Sequence, residues 1–127
     1  MTAGVAVRSA ACDTALMSTP VRVILCTVPS EDVGVQIARQ LVDEQLVACV
    51  NILPGVRSIY RYQGKVEDDR ELLLMMKTSA DRLDTLIPRV RALHPYEVCE
   101  VLALEVTAGS QPYLDWVLAE TKSNQAS

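Results

Sequence analysis

The chain has 127 residues, half of them hydrophobic, with 12 Lys and Arg against 16 Asp and Glu and a net charge of −4. That is the size of one domain with a core of its own, and the acidic balance excludes a nucleic-acid binder, which needs clustered Lys and Arg. No apolar run approaches the ~18 residues of a membrane-spanning helix, so no membrane partner is expected.

Residues 1–20 are rich in Ala, Thr and Ser, show no sustained period and read as an unstructured tail. Arg8 and Asp13 interrupt every apolar stretch there, unlike the core of a signal peptide. Met17, directly before Ser18-Thr19-Pro20, is a second candidate start. Val21–Val28 is apolar on both faces apart from Arg22, the pattern of a buried strand. Pro29 stops it. Ser30 is the predicted N-cap of a first helix, with Glu31 and Asp32 in the first turn and Val33, Ile37, Ala38 and Leu41 at helical spacing to about Glu44.

The stretch from Ala48 to Tyr62 is the most informative. It reads as one long strand, returned by Gln63-Gly64 through Lys65-Val66 to the apolar run Leu72–Met76. Pro54-Gly55 inside it predicts a bulge or bend, because Pro cannot donate to a ladder. At ~3.3 Å per residue this strand spans roughly 50 Å, more than the ~35 Å diameter expected for a domain of this size. The hairpin therefore outruns its domain and offers open edges to other chains.

Glu67–Arg70 reads as a solvated charge run. Ser79 is the predicted cap of a second helix, whose stripe is Leu83, Leu86, Ile87, Val90 and Leu93. Pro88 within that stripe predicts a kink or a later start. His94-Pro95-Tyr96-Glu97 ends the helix. A fourth strand is predicted over Val98–Val106, which places Glu100 on a face otherwise made of Val98, Leu102, Leu104 and Val106. Gly109-Ser110 turns the chain into a short helix, Gln111–Glu120. The order β-α-β-β-α-β plus a terminal helix predicts an α+β fold, a ferredoxin-like sandwich with a long protruding hairpin and a C-terminal helix. Residues 21–122 make the single domain and 123–127 a tail.

Catalytic signatures are missing. His94 is the single histidine, and neither GxSxG nor GxGxxG occurs, so no enzyme is expected. Metal binding has the better case. Cys26, Cys49, Cys99, His94, Glu97 and Glu100 are suitable donors, although none is spaced as a chelate. Each also has a bland use: the cysteines as small apolar strand residues, His94 as a helix C-terminal cap, Glu97 and Glu100 in interface ion pairs. Tyr60 with Tyr62, and Tyr113 with Trp116, read as packing between strand tip and terminal helix or across subunits. The four cysteines form no CxxC pair and the chain is not small and loop-rich, so reduced thiols and a cytoplasmic location are expected.

Ala48-Cys49-Val50-Asn51-Ile52, Pro54-Gly55-Val56, Ser58, Tyr60, Gly64-Lys65, Lys77-Thr78, His94-Pro95-Tyr96-Glu97-Val98, Glu100, Tyr113 and Trp116 occur here in order. Together they resemble the CutA family of divalent-cation-tolerance proteins over about residues 21 to 120. The resemblance implies a cytoplasmic homotrimer with hairpins paired between subunits, binding copper or another divalent cation. It implies Cys26 and His94 as ligands; Glu97 and Glu100 remain further candidates by residue type. Leu93 stands where a second family histidine is expected, Tyr62 where Trp is usual, and Cys99 where Pro is usual. The alternative is a regulatory scaffold similar to the PII signalling trimers, holding a small ligand or partner protein in clefts between subunits.

Overall fold

The structure, a computed structural model, describes residues 18–123. The expectation for residues 1–16 and for Met17 lies outside the described residues. Ser18–Pro20 do not trail away: Thr19 donates through its N–H and its hydroxyl to the Val106 carbonyl, at 3.0 and 2.7 Å.

β1, Val21–Val28, is an interior strand of a four-stranded antiparallel sheet, order β2-β3-β1-β4. Its alternation sorts the molecule into layers. Ile24, Cys26 and Val28 are fully buried toward two helices, whereas Val21 lies on the opposite face. α1, Glu31–Asp43, starts where expected, with the Ser30 hydroxyl accepting from the Val33 N–H at 3.2 Å. It buries Ile37 and Leu41 against Ile24, Leu74 and Met76.

β2, Cys49–Tyr62, and β3, Lys65–Ser79, form the long hairpin. Gln63 and Gly64 connect them with φ of 50° and 80°. Positive φ at both central residues defines a turn whose twist matches the flanking strands. The predicted bulge is present: pairing shifts between Leu53 and Val56, where Gly55 takes φ 83°. Beyond Val56 and Glu71 no hairpin residue is buried, so the distal half is an arm standing clear of the core.

The second helix departs from expectation at its start. A 3₁₀ turn covers Ala80–Arg82, and α2 begins only at Leu83 and runs to Leu93. Ser79 occupies the capping position, but its hydroxyl donates to Asp81 at 2.7 Å instead of accepting a backbone N–H. Pro88 remains within α2. It and Asp84 are exposed, so water can take the carbonyl that Pro88 cannot serve. Leu86 and Val90 complete the core under α1 and α2.

The largest departure is β4, which is Leu102–Glu105 and not Val98–Val106. Its pairing with β1 runs only from Arg22 to Leu25. Residues 95–101 leave the sheet toward the hairpin arm, so Glu100 does not stand on a strand face. α3, Gln111–Glu120, packs Leu114 and Val117 on Val21, on the face opposite α1 and α2. The rest of that second face has no layer over it among the described residues. Val23, Leu25, Leu73 and Met75 are half-buried there, and Leu102 and Leu104 are 53% and 46% exposed. The architecture is the expected ferredoxin-like α+β sandwich.

Candidate functional site

The loop 94–101 is fixed to the end of β1 by His94. Its Nε2 is 2.7 Å from the Thr27 carbonyl oxygen, and its Nδ1 is 3.1 Å from the Tyr96 N–H. A carbonyl only accepts and an N–H only donates, so Nε2 carries the proton and Nδ1 accepts. Both ring nitrogens are thus engaged, and the ring lies 4.9 Å from that of Tyr96. This fastening turns the loop toward the hairpin arm and opens a cavity of about 970 Å³ between them.

Four carboxylates stand on the cavity wall. The arm contributes Asp69 and Glu71, and the loop contributes Glu97 and Glu100 beside Cys99. Glu71 is only 8% exposed, and Tyr96 donates its hydroxyl to Glu71 Oε2 at 3.4 Å. Across the hairpin the Tyr60 hydroxyl donates to Asp69 Oδ2. Burial first, and then the Glu71 charge, raises the Tyr96 phenol. The bond to Asp69 pushes Tyr60 up to about 12, so it remains a donor at neutral pH. Arg57 also lines the wall, but it is committed to Asp68 through bonds of 2.9 and 2.7 Å.

The four residues expected as ligands separate into two places. Glu97 and Glu100 line the cavity, and Cys26 and His94 do not. Cys26 faces the helices inside the core. Burial above all, followed by the nearness of Cys99, Glu100 and Glu71, pushes its thiol up to about 12. A thiolate ligand there would have to lose a proton against both effects, and His94 would have to release one of its two hydrogen bonds. Among the described residues no group of three or more His, Cys, Asp or Glu is placed to hold a metal ion. The described residues of one chain therefore do not make a closed metal site.

Sequence reasoning missed Asp69, Glu71 and the two tyrosine hydroxyls. Asp69 belonged to the charge run read as solvated, and Glu71 was passed over at the head of the Leu72–Met76 run. The available signal was the i, i+2 spacing of Asp69 and Glu71, which puts both on one strand face. Of the two uses expected for Tyr60 and Tyr62, packing on the terminal helix is not the one seen within the chain, and packing across subunits is a matter for the assembly. Both tyrosines line the cavity, while Tyr113 and Trp116 pair with each other at 5.6 Å.

An antiparallel α+β sandwich with an extended hairpin arm and an acid-lined cavity at its base defines the class of protein. The family model described as "CutA1 divalent ion tolerance protein" matches residues 22–120, and the chain belongs to that family. It is 54% identical over 99 residues to the divalent-cation tolerance protein CutA of Thermus thermophilus, covering 78% of this chain and 96% of that one. It is 48% identical over 97 residues to human Protein CutA, covering 76% of this chain but only 54% of the longer human protein. Among solved structures, CutA1 from Oryza sativa superposes with a TM-score of 0.80 at 41% identity, covering 85% of this chain and 99% of that one.

Proposed function

We propose that this protein is a non-catalytic, cytoplasmic homotrimer acting in divalent-cation tolerance, with Glu97 and Glu100 as its outermost cation donors. The reading is supported by the names of its bacterial relatives and, above all, by four carboxylates around one cavity whose only arginine is already paired. No single chain supplies three donors among the described residues, so the remaining ligands come from neighbouring subunits or water. Cys99, beside Glu100 on the cavity wall, adds a soft donor that favours copper over magnesium. Cys26 and His94 support the wall from behind and join the ligand set only if the loop opens.

Assembly is supported by the apolar second face of the sheet and the exposed arm. Ile59 and Val66 are each 66% exposed, an arrangement that favours burial against other copies. The free thiols Cys26, Cys49 and Cys99 support the cytoplasmic location.

Calorimetric titration of the reduced protein with Cu²⁺ and with Mg²⁺ tests the reading. Saturable copper binding that is lost in the Glu97→Gln, Glu100→Gln double variant is expected. Binding unchanged in that variant but lost in Cys26→Ser, His94→Ala would move the cation to the inner pair. No saturable binding at all would favour the regulatory-scaffold reading. One observation supports that second reading: the cavity has the volume of a small-molecule site, far more than an ion requires.

A further inference from the structure

We propose that the inner end of the cavity is a binding site for an aliphatic diamine, held by Glu71 and Asp69. The site uses the same cavity as the cation reading but different donors, and it stands without that reading.

Glu71 motivates the assignment. It is a carboxylate more than nine-tenths buried, at the base of an exposed arm. Among the described residues its one side-chain hydrogen bond is the 3.4 Å contact from Tyr96, and no Lys or Arg forms an ion pair with it. A buried carboxylate without a cation is costly. Nothing in the packing of the sheet requires one at this position, where β3 otherwise continues into Leu72.

Asp69 repeats the arrangement two residues along the same strand. It too is held at one oxygen by a tyrosine hydroxyl, and its second oxygen has no hydrogen bond among the described residues. Each carboxylate is thus oriented by a phenol and keeps an oxygen for a ligand. Residues i and i+2 of a strand are ~6.7 Å apart. That backbone spacing is close to the separation of the two ammonium groups in extended putrescine. Tyr60 and Tyr96 also line the cavity, where their rings can add apolar contact for methylenes and cation–π attraction for ammonium ends. Tyr60 and Tyr96 both stay protonated at neutral pH, so neither brings a competing negative charge.

The test is calorimetric titration of the intact protein, in chelator-treated buffer, with putrescine and with its neutral analogue 1,4-butanediol. Saturable binding of putrescine alone is expected. Glu71→Gln keeps the side-chain shape and should weaken it about tenfold or more, through loss of a charge-assisted hydrogen bond. Asp69→Asn, on the exposed arm, should weaken putrescine more than it weakens propylamine, which has one ammonium. Glu97→Gln, Glu100→Gln should leave putrescine within a few-fold while abolishing copper, so the two readings fail separately. The proposal is overturned if putrescine does not saturate in the millimolar range or if butanediol binds equally. It is also overturned if Mg²⁺ displaces putrescine as well as spermidine does, or if both single variants bind putrescine unchanged while circular dichroism shows them folded.

Discussion

Replacing Gly34 by Ala sets two effects of similar size against each other. Gly34 is buried on α1 against the sheet. A methyl there would lie 3.2 Å from Val28 Cγ2 and 3.4 Å from Leu74 Cδ2. Ala in a helix is favoured over Gly by ~1 kcal/mol. Ordinary carbon contacts are at ~3.5–4.0 Å, so the Val28 methyl must retreat by a few tenths of an ångström. Val28 is fully buried on an interior strand, and a β-branched side chain has little rotamer freedom with which to move. Overpacking at such sites costs ~1–3 kcal/mol. The steric cost should win, leaving a net loss of about 1 kcal/mol. With a urea m-value of about 2 kcal/mol/M, the unfolding midpoint falls by ~0.5 M. The assay is urea denaturation followed by circular dichroism at one protomer concentration, because assembly shifts apparent stability. Gly109→Ala is the control. Its methyl would meet one side chain instead of two, that of Leu114 at 3.2 Å from Cδ2, and Gly109 itself is exposed. There the lower entropy of the unfolded chain contributes ~0.4–1 kcal/mol, and the midpoint should hold or rise. A Gly34→Ala midpoint equal to or above wild type would refute the claim that Val28 and Leu74 are tightly confined.

The Glu44–Arg89 pair joins the end of α1 to α2 through a 2.6 Å contact, and the bond from Arg89 holds the Glu44 carboxyl at about 2 instead of its ordinary 4.5. A depressed acid contributes stability above its unfolded value and loses it as pH falls. Both side chains are partly solvated, so Arg89→Met should lower stability only slightly at pH 7. That difference should fade between pH 4.5 and about 2 in pH-resolved thermal melts. Gln63 holds φ 50° before Gly64, so Gln63→Asn should stabilise the hairpin by about 0.5 kcal/mol, measured as a raised melting temperature. If the second sheet face is the subunit interface of the proposed trimer, charging it with Leu102→Glu and Leu104→Glu should give smaller species than wild type in sedimentation velocity. An unchanged sedimentation coefficient would count against an interface on that face.

Patterns that repeat within a few residues were legible in the sequence. The alternation of β1, the Ser30 cap, the Gln63-Gly64 turn and the Pro54-Gly55 bulge depend on local sterics and hydrogen bonds, and each appears where the residues demand it. The apolar stripes of α1 and α2 likewise dictated which side of each helix is buried. Glu97 and Glu100 were legible as candidate donors by residue type alone, though not as neighbours of Asp69 and Glu71. Only the tertiary structure decided where β4 begins, because a strand extends as far as its partner holds it. The His94 bond to Thr27 and the Tyr96 contact with Glu71 hold residues 95–101 off the sheet, although Val98 and Glu100 continue the face of Leu102 and Leu104 in sequence. It likewise decided that Cys26 and His94 are bound into the interior while Glu71 faces a cavity. Those roles depend on which groups from distant segments arrive within hydrogen-bonding reach, and no local pattern records that.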